Sequence, residues 1–178
     1  MVNLSSPPVV VDDEMWVYYG GAKNHHDWWF SGQTKGTADV PEMHGWDNVG
    51  YHLGLAKMRT DGFVSIGANR VREGLLQTHP FASTGDRLAI NAACGPEGYI
   101  KVDVADESGN VLRGNGLDDC DAFTGDSVRH VVTWHGDPTV RMPEAQADQR
   151  ARPYRVLRFV MRDAELYSFR LASNIQSC

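Results

Sequence analysis

The chain has 178 residues, of which 42 % are hydrophobic and 22 % charged, and its formal net charge is −6. These values describe one globular domain, or one domain with a small appendage, with enough apolar residues for a core. They exclude nucleic acid as an expected partner, since the densest basic stretch is only "RARPYR" (Arg150–Arg155) and phosphate backbones call for clustered cations. No apolar run approaches the ~20 residues of a membrane-spanning helix, so no membrane partner is expected either.

In chain order the pattern is β nearly throughout. "PPVVVDDEMWVYYGG" predicts a strand, an acidic turn at Asp12–Asp13–Glu14 and a second strand ending at a glycine pair. Pro7 and Pro8 suit the first positions of a strand, where a missing donor is harmless. From Ala22 to Asn48 a long polar and aromatic segment shows no steady period, and a loop of that length in a compact domain is usually functional or mobile. "YHLGLAKM" resumes β character, and Asp61–Gly62 in "RTDGFVSI" predicts a tight hairpin turn.

From Gly74 onward, strands arrive at the spacing of a sandwich: "GLLQTHPF", "DRLAINAAC", "GYIKVDVAD", "VLRG", "VRHVVTWHG", "YRVLRFVMR" and "AELYSFRLA". "STGD", "GPEG", "ESGN" and "FTGD" separate them as turns. Apolar residues alternate at Leu88, Ile90 and Ala92, at Ile100, Val102 and Val104, and at Tyr167, Phe169 and Leu171. A sheet with one face in a core requires that alternation, because successive side chains point to opposite faces. "MPEAQADQRA" (Met142–Ala151) is a polar loop with room for one helical turn. The expected fold is therefore all-β: a β-sandwich over residues 73–178, preceded by a β-hairpin segment with a long aromatic loop over residues 1–72.

Cys94, Cys120 and Cys178 form no CxxC pair, which argues against a disulfide framework or a zinc knuckle, although a Cys94–Cys120 bridge remains open. The opening "MVNLSSPP" has none of the features of a signal peptide. The expectation is an intracellular protein or a segment of a longer, secreted or periplasmic parent.

Several strings carry a resemblance. "MWVYYGGAKNHH" followed by "GLAKMRTDGFVSI" resembles the junction in bacterial glycoside-hydrolase-like proteins where a five-bladed β-propeller meets a C-terminal β-sandwich. "GLDDCDAFTGDSVRHVVTW" and "LRFVMRDAELYSFRL" look like that sandwich, which is similar to concanavalin-type jelly rolls. In such proteins the catalytic carboxylates come from earlier blades, and this sequence starts at what looks like the final one. The resemblance implies the accessory end of a glycosidase-like protein, with residues 1–72 akin to the last blade and propeller blades from another chain or copy as a partner.

Candidate chemistry concentrates in "KNHHDWWFSG" (Lys23–Gly32). A compact hydrolase or lyase would draw acid–base groups from His25, His26, Asp27 and Glu42. Transition-metal binding by His25, His26, His44 and His52 lacks a defined ligand spacing, and neighbouring histidines on a strand point to opposite faces, so no metal centre is assigned. "DVADESGN" supplies oxygen ligands at Asp103, Asp106 and Asn110 without the spacing of an EF-hand; a structural calcium is admitted but not placed, and no other cofactor is expected. Aspartates 118, 119, 121 and 126 flank turns and read as turn residues, with Asp121 also able to reach a hydroxyl.

Trp28, Trp29 and Trp46, with Tyr51 nearby, offer flat apolar area that covers the C–H face of a sugar, while His26, Asp27 and Asp121 bond its hydroxyls. The competing reading buries one of Trp29 and Trp46 in a seam of the fold. Trp134 in "VVTWHG" is either core or groove by strand parity. The expected function is a non-catalytic carbohydrate-binding or accessory module associated with polysaccharide degradation. The alternatives are the compact hydrolase or lyase, and an assembly domain whose aromatic patch packs against a propeller.

Overall fold

A computed structural model describes residues 2–4, 6–22, 51–143, 154–173 and 175. These residues form ten strands and no helix, and every strand pairing is antiparallel. The all-β expectation holds. The chain divides into two compact units at Thr60/Asp61. Residues 61–72, assigned from sequence to the N-terminal segment, fall in the second unit, where β5 (Ile66–Ala68) pairs with the final strand.

The first unit is one four-stranded sheet. Its centre is β3 (Glu14–Ala22), with β4 (Tyr51–Arg59) on one edge and β1 (Val2–Leu4) and β2 (Val9–Val11) sharing the other. The predicted acidic turn joins β2 to β3, with Asp12 in the left-handed region at φ 54°, a conformation its short polar side chain tolerates. Trp16 lies directly opposite Lys57, whose ammonium sits 4.1 Å from the indole centroid, and Glu14 accepts from both side chains at 2.9 and 3.3 Å. Tyr19 lies opposite Gly54, and its ring fills the space where a Cβ would stand. Met15 is the one buried hydrophobic side chain among this unit's described residues, and Tyr51, Leu53 and Leu55 of β4 are exposed.

The second unit is built on β10 (Tyr154–Ala172), which pairs along its length with β8 (Arg87–Asp106). The other edge of β10 carries β7 (Phe81–Ala82), β6 (Gly74–Gln77) and β5 in succession, and the far edge of β8 carries β9 (Asp126–Val131).

This single sheet folds over to face itself. Val132 N–H donates to Leu88 O at 2.8 Å, and the Trp134 indole, two residues on, donates to Val102 O at 3.0 Å. Fully extended, the chain from Leu88 to Val102 would span roughly 45 Å, whereas Val132 to Trp134 spans roughly 7 Å. Strand β10 bends likewise: the rings of Phe159 and Phe169 are 5.5 Å apart. The two halves thereby enclose one core, to which β8 gives Leu88, Ile90 and Ala92 from one half and Ile100, Val102 and Val104 from the other.

Several local expectations change. "DRLAINAAC" and "GYIKVDVAD" are one strand, with "GPEG" as a bulge inside it rather than a turn between two. "VLRG" makes only an isolated bridge, Val111 to Ala105. At Tyr167 a bulge in β10 shifts the parity, so Leu166 is buried while the Tyr167 hydroxyl donates to Glu165 at 2.6 Å. Asp61 does adopt a turn conformation at φ 54°, but β4 and β5 on either side of it pair with β3 and β10, not with each other. Cys94 and Cys120 are free thiols, which removes the bridge. The helical turn proposed within Met142–Ala151 lies largely outside the described residues.

Candidate functional site: a groove beside Tyr99

The outward face of the folded sheet carries the site. Because Ile100, Val102 and Val104 point into the core, Tyr99, Lys101 and Asp103 point the other way. Directly opposite them on β10 stand Arg162, Val160 and Arg158, and opposite the last two on β6 stand Leu75 and Gln77. Antiparallel sheets commonly present such a polar face to water while the other packs. Asp103 and Arg158 are joined by two parallel bonds of 2.6 and 2.9 Å, the planar fork geometry that arginine matches to a carboxylate.

Next to that pair is a groove of about 600 Å³, lined on the sheet by Tyr99, Lys101 and Val160 and closed by Glu73, the "GPEG" bulge and the segment around Leu117–Thr124. The Tyr99 hydroxyl donates to the Glu73 carboxylate, and that bond raises the phenol above its usual pKa by favouring the neutral donor. The Arg162 guanidinium lies 5.2 Å from the Tyr99 ring centroid. The Lys101 ammonium donates to Leu117 O at 3.2 Å, tying the strand to the far wall.

The bulge is held by contacts that only glycine permits. A Cβ on Gly95 would come within 2.0 Å of an Asp163 carboxylate oxygen, and one on Gly98 within 2.1 Å of the Asp163 backbone oxygen. Asp163 itself has φ 45° and donates its N–H to Asn69 O at 3.1 Å. Behind the bulge, Asn69, Cys94, Gly95, Asp163 and Glu165 line a second cavity of about 550 Å³. Burial, helped by the nearby Asp163 charge, pushes the Cys94 thiol up, so it is held protonated rather than activated.

Most residues singled out from sequence lie outside the described part of the chain: His25, His26, Asp27, Trp28, Trp29, Glu42, His44 and Trp46. Tyr51 is exposed on β4 of the first unit, paired with Ala22. Asp121 belongs to the second unit and serves a hairpin. Its carboxylate accepts from Thr133 Oγ1 at 2.6 Å and Gly136 N–H at 2.7 Å, and those bonds hold it below the usual carboxylate range. His135 and Gly136 form the hairpin's tip with φ 50° and 78°, and His135 Nε2 lies 3.1 Å from Asp119. Trp134 is core, only 2 % exposed.

In "DVADESGN", Asp106 accepts three bonds from its own turn, from the Ser108 and Asn110 backbone N–H groups and the Asn110 amide, while Asp103 is engaged by Arg158. Among the described residues no group of three His, Cys, Asp or Glu side chains is arranged to hold a metal. The groove itself was not anticipated. Its signal was present in "GYIKVDV", where the positions between the apolar ones are aromatic and charged rather than small. Comparison of the chain with family models, curated proteins and solved structures finds no match.

Proposed function

We propose that the chain is a non-catalytic carbohydrate-binding module, accessory to polysaccharide degradation, and that the groove beside Tyr99 is its binding surface. The observation that carries this reading is the grouping in one open groove of an anchored aromatic ring with Glu73, Glu97, Asp118 and Lys101. A sugar presents an apolar C–H face and a rim of hydroxyls; the ring matches the first, and carboxylate acceptors and an ammonium donor match the second. Tyr99 is pre-oriented by Glu73 and Arg162, so little rotamer freedom is lost on binding. Shallow sites of this kind bind in the micromolar to millimolar range, about −8 to −4 kcal/mol.

The test is retention of the whole chain on insoluble and soluble polysaccharides, with reducing-end release followed in the same tubes. Retention without release, lost in Tyr99→Ala but kept in Trp28→Ala/Trp29→Ala, supports the groove. Retention lost only in the tryptophan variant moves binding to the Lys23–Gly32 segment. Release of sugar overturns the non-catalytic reading. The resemblance to propeller-linked sandwiches suggests the biological setting, and sedimentation of the chain alone shows whether it associates with a second copy.

A further inference from the structure

The "GPEG" bulge contributes more to the groove than a bend in the sheet. Between the pairs Arg162↔Tyr99 and Ala164↔Cys94, β8 takes five steps where β10 takes two, so three extra residues are accommodated. Two glycines in close contact with Asp163, and a left-handed non-glycine residue at Asp163 itself, hold that excursion in place. It delivers Pro96 and Glu97, both exposed, to the lining of the groove. Among the described residues the charged lining then consists of Glu73, Glu97 and Asp118 against Lys101, with the Arg162 guanidinium beside the Tyr99 ring, and part of the Lys101 ammonium's bonding capacity is taken by Leu117 O.

We propose that Glu97, carried on this bulge, is the specificity-determining residue of the groove, selecting glycans of neutral sugars and turning away uronate- and sulfate-bearing ones. The inference rests on the carbohydrate-binding reading above. An exposed carboxylate accepts hydrogen bonds from sugar hydroxyls, yet it meets a ligand carboxylate or sulfate with like-charge repulsion and no donor. Such repulsion between solvent-exposed groups weakens with added salt.

The experiment compares binding of the intact chain to four soluble neutral polysaccharides (a glucan, a xylan, a mannan and a galactan) with binding to polygalacturonate, at low and high salt. The wild-type chain is expected to bind at least one neutral polymer, and polygalacturonate at least tenfold more weakly at low salt. Glu97→Lys should narrow that gap several-fold, while Glu107→Lys, the same charge change on an exposed turn, should leave it. Thermal transitions of both variants check that they fold. Equal binding of neutral and acidic polymers by the wild-type chain, or equal narrowing by the two variants, overturns the role of Glu97 while the binding function stands. Binding of acidic polymers alone also overturns it, and binding of none of the five removes the carbohydrate-binding reading as well.

Discussion

The indole N–H of Trp134 donates to the backbone carbonyl of Val102 at 3.0 Å, joining the hairpin after β9 to the far half of β8 in the interior of the second unit. Both groups are buried, so this bond holds the folded sheet in register with itself. Trp134→Phe should keep most of the packing but leave the Val102 carbonyl without its indole donor, costing about 1–3 kcal/mol. Trp134→Ala should cost about 3–5 kcal/mol by adding a cavity. Denaturant unfolding followed by a second-unit probe checks both. Equal losses for the two variants would show that the hydrogen bond contributes nothing separable from volume.

The Asp103–Arg158 pair lies on the outer face with its carboxylate almost wholly buried and its guanidinium partly in water. Removing one partner strands the other, so Asp103→Ala should destabilise by roughly 2–4 kcal/mol, below the largest values because Arg158 regains solvent. The double replacement Asp103→Val/Arg158→Leu should cost less than Asp103→Ala alone. A double-mutant cycle by chemical denaturation measures the coupling.

Stability should fall on acidification in two stages. Burial holds the His130 imidazole, packed 4.5 Å from the Phe123 ring, below its ordinary pKa. A depressed histidine pKa means the unfolded chain binds the proton first, so this contribution is complete above the unfolded value near 6.5 and is lost as pH falls through the folded value. His130→Phe should flatten the slope of stability between pH 7 and pH 5. In the second stage Asp121, Asp106 and Asp137, all held low chiefly by hydrogen bonds, stabilise the fold above the usual carboxylate range and lose that effect as pH drops through their folded values. Asp121→Asn should reduce the loss below about pH 4. The unfolding midpoint as a function of pH reads both.

Gly95 and Gly98 abut Asp163 in different ways, and their substitutions should differ accordingly. An alanine at 95 meets the movable Asp163 carboxylate, whereas one at 98 meets its backbone oxygen. Gly98→Ala should therefore cost at least 2 kcal/mol and resist rescue, while Gly95→Ala should cost less and be restored by Asp163→Gly. Asp163→Gly alone should stabilise by up to about 1 kcal/mol, since glycine adopts its left-handed backbone without strain. Thermal denaturation of the three single variants and the two double variants with Asp163→Gly decides.

The core of the second unit was legible because burial writes a period into sequence: Leu88, Ile90 and Ala92, and again Ile100, Val102 and Val104, alternate and are buried. The period misled at Tyr167, since a bulge adds a residue without marking itself in composition. It also misled at "GPEG", whose glycines and proline read as a turn between strands although β8 runs through them. The groove was illegible for another reason. Glu73, Glu97, Tyr99, Asp118 and Val160 come from distant parts of the chain, and the pairing of β10 with β6 and β8, together with the Ile100–Phe123 bridge and the Lys101–Leu117 bond, brings them together. The cluster at Lys23–Gly32 was read from adjacency in sequence alone, and it lies outside the described residues.

The measurement that tests the groove most directly is a titration of the isotope-labelled chain with a retained soluble oligosaccharide, read residue by residue from backbone amide shifts. Binding in the groove predicts saturable shifts centred on Glu73, Glu97–Lys101 and Leu117–Thr124, with Tyr99→Ala abolishing them while leaving the remaining spectrum unchanged. Shifts confined to residues 23–50, with the amides around Tyr99 unmoved at saturation, would contradict it.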